Sequence, residues 1–194
     1  MARPRVHDDA LRTRLLEVAS ELVAERGEDA LTVRAAASAA GTSTSAVYAL
    51  FGSREDLLTA VSDEGFRRFA AHLDAVPRTA DPVADLRQLG RAYRTSALAA
   101  PHFYRVMFDR AVRPAPHAPA PVEQPTFLVL RDAVARVVGA PGGRTEAAAV
   151  GLWGLVHGLV SLELAGLLPG DADARAARYD AAAGAVGPAL LAPR

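Results

Sequence analysis

Within the stretch from Thr32 to Arg54, Thr32, Ser43, Thr44, Ser45 and Tyr48 bring hydroxyls, and Arg34 and Arg54 bring guanidiniums. Hydroxyls can bond phosphate oxygens or base edges, guanidiniums pair with phosphates, and the Ala49 methyl can meet a thymine methyl. The chemistry these residue types suit is adhesion to a polyanion, not bond-making. A second set, Tyr93, Phe103, Tyr104, Met107, Phe108, Phe127, Trp153 and His157, is apolar with a few polar tips. That is the composition of a small-molecule site, with an ordinary aromatic core as the competing reading. His157 and Ser161 lie one turn apart on a helix and could face the same way. No nucleophile elbow, phosphate loop or paired carboxylates accompany them, so catalysis is not expected and no catalytic residue is assigned. His72 with Asp74, and His102 with Asp109, lack metal-ligand spacing. Neither a metal nor a cofactor is expected.

The first set must be carried by short helices. Thr32 is a good N-cap, because its hydroxyl can accept from a free backbone N–H. Val33, Ala36, Ala37 and Ala40 give a small-residue face for close packing. Gly41 can take positive φ and stop the helix. Ser43 caps a second short helix in which Val47, Leu50 and Phe51 point one way and Thr44, Ser45, Tyr48 and Ala49 the other. Two short helices joined by a glycine turn are the sequence form of a helix-turn-helix, whose second helix enters the major groove. Ser53 with Asp56 forms a variant capping box for a third helix. Arg54 falls in its first turn, where guanidinium and backbone N–H groups could grip a phosphate together.

The 194 residues suit one or two small domains, and half of them are hydrophobic but only 6% aromatic, as in an Ala- and Leu-rich helical protein. There is no Cys, which excludes disulfides and thiolate metal sites. All basic residues are Arg and the net charge is zero. Residues 1–60 hold seven Arg against nine acids, so nucleic-acid affinity must come from local placement of Arg3, Arg5, Arg34 and Arg54. The N-terminus lacks an apolar core of signal-peptide type, and a cytoplasmic location is expected.

Residues 1–7 read as a disordered arm whose Arg3 and Arg5 could reach a minor groove, with a solvated tail as the alternative. Asp8 or Asp9 caps a helix to about Arg26, with Leu11, Leu15, Val18, Leu22 and Val23 as its buried stripe. The helix from Ser53 runs to about Ala75. Further helices are expected from Asp81–Pro82 to before Pro101, over Pro101–Asp109, and over Thr126–Val138. Residues 112–125 form a Pro-rich loop that includes His117. Arg144–Leu168 is apolar enough for a transmembrane reading to be weighed, but Glu163 would be costly in lipid. A helix buried on nearly all sides, with Gly151, Gly154 and Gly158 allowing close approach, is expected instead, and no membrane partner. An Ala-rich helix over Asp173–Leu191 ends the chain, bent or shortened by Gly184, Gly187 and Pro188.

The run Ala39-Ala40-Gly41-Thr42-Ser43-Thr44-Ser45-Ala46-Val47-Tyr48-Ala49-Leu50-Phe51-Gly52-Ser53-Arg54-Glu55-Asp56-Leu57-Leu58 resembles the TetR-family DNA-binding signature. With the preceding helix the likeness covers about residues 8–60. It implies that Thr32, Thr44, Tyr48 and Arg54 touch DNA. The sequence departs from the pattern at Thr44, where Lys is frequent, and at Ala49-Leu50, where His, Arg, Asn or Tyr are frequent. Base contacts are therefore fewer or more apolar. Arg91-Ala92-Tyr93-Arg94, Pro101 to Phe108 and Trp153-Gly154-Leu155-Val156-His157-Gly158-Leu159 resemble the C-terminal domain of the branch with a Trp-His-Gly motif. That resemblance implies a homodimer built on the last two helices and middle helices enclosing an effector pocket.

The expected architecture is all-α: a three-helix, helix-turn-helix DNA-binding domain over residues 1–52, and an effector-binding and dimerisation domain over residues 53–194. The expected function is a ligand-responsive transcriptional regulator of the repressor type. It binds double-stranded operator DNA as a homodimer and is released by a small-molecule effector. DNA contacts are expected at Thr32, Arg34, Ser43, Thr44, Ser45, Tyr48, Ala49 and Arg54. The alternatives are a DNA-binding regulator with no working effector pocket, and a helical small-molecule-binding protein that has lost DNA binding.

Overall fold

The structure, a computed structural model, describes residues 5–112, 120–139 and 142–192. Among the described residues the regular structure is all helical: α1 (Arg5–Arg26), α2 (Val33–Ala40), α3 (Thr44–Phe51), α4 (Arg54–Asp74), α5 (Pro82–Ala99), α6 (Pro101–Val112), α7 (Pro125–Val138), α8 (Gly143–Leu164) and α9 (Ala172–Leu191). Short 3₁₀ turns stand at Glu28–Ala30 and Pro121–Glu123. The chain forms two compact units. One is Met1–Arg68 with Ala100–Ala118, and the other is Phe69–Ala99 with Pro119–Arg194. Helix α4 therefore contributes residues to both, and α6 belongs with the N-terminal helices although it follows α5 in sequence.

The first unit is built on α1, whose Leu15, Leu16, Ala19 and Val23 are buried together with Ala36, Ala37, Ala40, Val47, Leu57, Leu58 and Val61. Phe103 and Val106 of α6 complete this core. Alanines on α2 leave room for α1 and α3 to approach, which is why the motif needs no large side chain there. Arg68 ties α4 to α1 through Glu17 at 2.6 Å and lies 4.2 Å from the Phe103 ring centroid.

In the second unit Phe127, Val134, Ala148, Ala149 and Leu152 form the buried cluster where α7 meets α8, and Leu86 of α5 packs against it. Asp81 caps α5 by accepting from the N–H groups of Val83 and Ala84 at 3.0 and 2.9 Å. Asp171 caps α9 by accepting from Ala174 N at 2.9 Å. Tyr179 of α9 donates to the Gly90 carbonyl of α5 at 2.5 Å.

Several sequence expectations change. Helix α1 begins at Arg5, and Asp8 lies in its first turn, favourably placed on the helix dipole instead of at the cap. Arg3 lies outside the described residues, as do residues 113–119 of the Pro-rich loop, with His117. Helix α6 runs to Val112, beyond the expected Asp109. Helix α8 stops at Leu164 because Gly166 takes φ +71° and its N–H turns back to the Glu163 carbonyl at 3.0 Å. Helix α9 continues through Pro188 to Leu191, so the proline does not shorten it; a proline removes only one ladder bond.

Helix α8 departs most. It is, among the described residues, the one helix long and apolar enough to cross a membrane by length and composition. Within the chain it is buried along one stripe only, Thr145, Ala148, Ala149, Leu152, Val156 and Val160. Val150 and Leu162 stay exposed. The expected burial on nearly all sides is thus met on one side, because among the described residues no second layer covers the other.

Candidate functional site

The hydroxyl-rich stretch folds as its caps require. Thr32 Oγ1 accepts from Ala35 N at 3.0 Å, and Ser43 Oγ accepts from Ala46 N at 3.2 Å. Each hydroxyl keeps its own proton for an outside acceptor, although Ser43 Oγ also lies 2.8 Å from Ser45 Oγ. Gly41 is left-handed at φ 64° and makes the turn between α2 and α3. Val47 alone of α3 is fully buried, while Thr44, Ser45, Tyr48 and Ala49 are exposed, Tyr48 by 54%. Thr32, Arg34 and Ser43 are exposed as well. Residues 32–51 contain Arg34 and not one carboxylate. The nine acids that outnumber the seven arginines over residues 1–60 stand before and after this segment in sequence, so the only charged side chain that α2 and α3 themselves carry is Arg34.

Two arginines from neighbouring helices brace this motif, and periodicity gave no sign of either contact. Arg12 of α1 donates from Nη1 to the Leu50 carbonyl at 3.4 Å and stands 4.7 Å from the Phe51 ring centroid. It thereby supports the C-terminal end of α3, where carbonyls have no helical partner. Arg54 donates from Nε to the Leu31 carbonyl at 2.5 Å and from Nη2 to the Glu28 carbonyl. Its Nη1 stands 3.5 Å from Glu55. The guanidinium expected to grip a phosphate is thus turned toward the α1–α2 connection. Ser53 and Asp56 form their box, with Asp56 N donating to Ser53 Oγ at 3.0 Å and the Ser53 hydroxyl donating to the Asp56 carboxylate at 2.6 Å.

The eight residues expected to line an effector pocket divide between the two units. Phe103, Tyr104, Met107 and Phe108 belong to the first. Phe103 and Met107 are buried there, both beside Gly65, and Tyr104 packs on Phe108 with ring centroids 4.7 Å apart. Tyr93, Phe127, Trp153 and His157 belong to the second and form a connected row. The rings of Phe127 and Trp153 are 5.8 Å apart, those of Trp153 and His157 6.3 Å, and the Tyr93 hydroxyl meets His157 Nδ1 at 3.0 Å. Phe69 packs edge-on against Tyr93 at 4.8 Å. A separate cleft of about 90 Å³ lies in the second unit between Leu73, Pro77, Asp85, Leu89, Val129 and Arg136, and none of the eight lines it. No cluster of potential metal ligands occurs among the described residues.

Burial pushes the His157 imidazole below its ordinary value, so the fold holds it neutral. Protonating it costs stability only where the unfolded chain is already charged. Stability is therefore expected to be unaffected by His157 above about pH 6.5 and to fall as the pH drops below that, until the folded-state value is passed. Chemical denaturation across this range should show the decline in wild type and a flatter profile in His157→Gln; equal profiles would contradict the assignment. Glu64 titrates in a separate window. Hydrogen bonding to Arg67, then to Arg68, holds its carboxyl down at about 2 from 4.5, so its contribution is lost only below about pH 4.5.

An acid-free helix-turn-helix face, joined through α4 to a second bundle of helices, defines the class: DNA-binding transcriptional regulators with a helical ligand-binding domain. The family model described as bacterial regulatory proteins, tetR family, matches residues 15–61, and that described as tetracyclin repressor-like, C-terminal domain, matches residues 86–185. The chain belongs to the TetR family of transcriptional regulators. Among curated proteins none matches the sequence. Solved structures do. A protein of unknown function from a Rhodococcus species is 26% identical over 93% of either chain, with a TM-score of 0.68. A TetR-family regulator from Marinobacter aquaeolei is 22% identical, covering 94% of this chain and 98% of its own, with a TM-score of 0.73. The TetR-family regulator PfmR from Thermus thermophilus is 21% identical, covering 92% and 97%, with a TM-score of 0.68.

Proposed function

We propose that this protein is a cytoplasmic repressor that binds operator DNA as a homodimer and is released by a small-molecule effector. The observation that carries the proposal is the outward face of α2 and α3: exposed hydroxyls at Thr32, Ser43, Thr44 and Ser45, an exposed Tyr48 and Ala49, Arg34, and no acid within the motif. Such a face gives phosphate contacts from hydroxyls and a single guanidinium, with few base-edge donors. Affinity should therefore fall with salt less steeply than for a strongly basic binder. The DNA-reading role is assigned to residues 1–52, and effector binding and dimerisation to residues 53–194.

The homodimer is assigned to α8 and α9. Among the described residues, no atom beyond the helix's own backbone and the adjacent residues lies within 4 Å of where a Cβ would stand at Gly154, Gly158 or Gly184, and Val150, Leu162 and Val186 are exposed. A twofold pair would set two recognition helices about 34–36 Å apart, or a multiple of that, on successive major grooves. The effector reading rests on the Tyr93, Phe127, Trp153 and His157 row, which combines apolar rings with a hydroxyl and a neutral imidazole. An effector would release DNA only by its difference in affinity between two conformations, about 1–3 kcal/mol in most coupled systems. The close mutual packing of that row favours a second reading, a regulator with no working effector pocket.

The test is a gel shift on the gene's own upstream region across a salt series, with and without candidate apolar ligands. Salt-sensitive binding, weakened by about tenfold or more in Tyr48→Ala, is the expected result. No duplex binding even at low salt would leave a helical ligand-binding protein. Binding that no ligand relieves would favour the second reading.

A further inference from the structure

We propose that Arg54 is a positioning residue for DNA binding and not a phosphate ligand: it fixes the backbone that precedes Thr32. The proposal rests on the DNA-binding reading of the α2–α3 face. Arg54 opens α4, yet two donors on one edge of its guanidinium reach back to the carbonyls of Leu31 and Glu28. Leu31 is fully buried, so its carbonyl lies in a poorly hydrated place where an unmet acceptor is costly. The Glu28 carbonyl also accepts from Leu31 N at 3.1 Å, which closes the turn on itself. Thr32 follows directly. Its N–H bonds the Ala30 carbonyl at 3.1 Å, its carbonyl accepts from Ala36 N at 2.9 Å, and its hydroxyl caps α2. The peptide that Arg54 holds is thus the one that aims the Thr32 hydroxyl and the first N–H groups of α2.

The planar fork of arginine matters here. Two parallel N–H groups can meet two carbonyls at once, whereas a lysine ammonium keeps the charge but cannot present that edge. The arrangement also ties the start of α4 to the start of α2, so any displacement of the first reaches Thr32 through one side chain. A guanidinium with two donors committed to backbone carbonyls and the third nitrogen beside Glu55 is poorly disposed to add charge to a phosphate clamp.

The experiment compares wild type, Arg54→Lys and Arg54→Ala, using the full chain and a duplex of the gene's own upstream region. Amide exchange of the free protein is read at residues 28–35, and the salt dependence of duplex affinity is measured alongside. The expected result is faster exchange at Leu31, Thr32 and Ala35 in both variants, with helix content kept. Duplex affinity should fall by about tenfold in both, and the slope of affinity against salt should stay as in wild type. Wild-type affinity in Arg54→Lys, together with a slope reduced by about 0.9 per subunit in Arg54→Ala, would make Arg54 a phosphate ligand and overturn the proposal. Unchanged exchange in both variants would overturn it alone. Absence of any salt-sensitive duplex binding by wild type would overturn it together with the DNA-binding reading, whatever the exchange data show.

Discussion

Glu163→Ala is expected to destabilise the second unit by about 3–5 kcal/mol, a large fraction of the stability of a domain of this size. The Glu163 side chain is 5% exposed near the C-terminal end of α8 and accepts both donors of Arg94 on α5, at 2.7 and 2.6 Å. Arg175 of α9 adds a contact at 3.5 Å, and Arg94 also stands 5.9 Å from the Tyr179 ring centroid. Removing the carboxylate leaves a guanidinium only 16% exposed with its principal counter-charge gone. Removing both charges should cost far less, because a buried pair roughly breaks even against apolar side chains of similar volume. Urea denaturation of Glu163→Ala, Arg94→Met and the double variant Arg94→Met/Glu163→Leu checks this. A double variant as unstable as the sum of the singles would refute the account. The pair also explains how a helix of membrane-like composition can carry a carboxylate: its partner is supplied from within the chain.

The second large effect is expected at Gly158→Arg. Among the described residues, no atom beyond the helix's own backbone and the adjacent residues lies within 4 Å of the Cβ position there, so the side chain has room in the isolated subunit. Replacing a helical glycine even tends to raise helix stability, by about 0.5–1 kcal/mol for alanine. In the proposed dimer the same position lies on the stripe Val150, Gly154, Gly158 and Leu162, where a second helix would need close approach. A bulky cation there should separate the subunits. Operator affinity should then fall by about 10²–10⁴, the usual gain from linking two half-site contacts. Sedimentation and gel shift on one preparation provide the check. A dimer of undiminished operator affinity would remove this face of α8 from the interface.

The helix-turn-helix was legible because its determinants are local. Thr32, Gly41, Ser43, Ser53 and Asp56 each act on backbone a few residues away, and the structure gives the caps at Thr32, Ser43 and Ser53 and the left-handed turn at Gly41. Asp81 and Pro82 opened α5 for the same reason. The Trp153 to Gly158 motif marked a stretch worth attention, but its partners lie far away in sequence. Tyr93 and His157 are 64 residues apart, Arg94 and Glu163 69, and nothing in the spacing of either member announces the other. Arg54 illustrates the limit best. Its type and position suit a phosphate, and nothing near it in sequence announces its hydrogen bonds to carbonyls 23 and 26 residues earlier.

The amino-acid order by itself determined the helical character, the element boundaries to within a few residues, and the reading motif, because hydrogen-bonded caps and apolar periodicity are satisfied within one or two turns. Tertiary structure alone decided that α6 joins the N-terminal core, that α8 buries a single stripe, that the aromatic residues fall into two groups, and which arginines brace the fold. Those outcomes depend on which distant surfaces meet, and every side chain concerned could have met solvent, a ligand or another helix equally well until the packing was set.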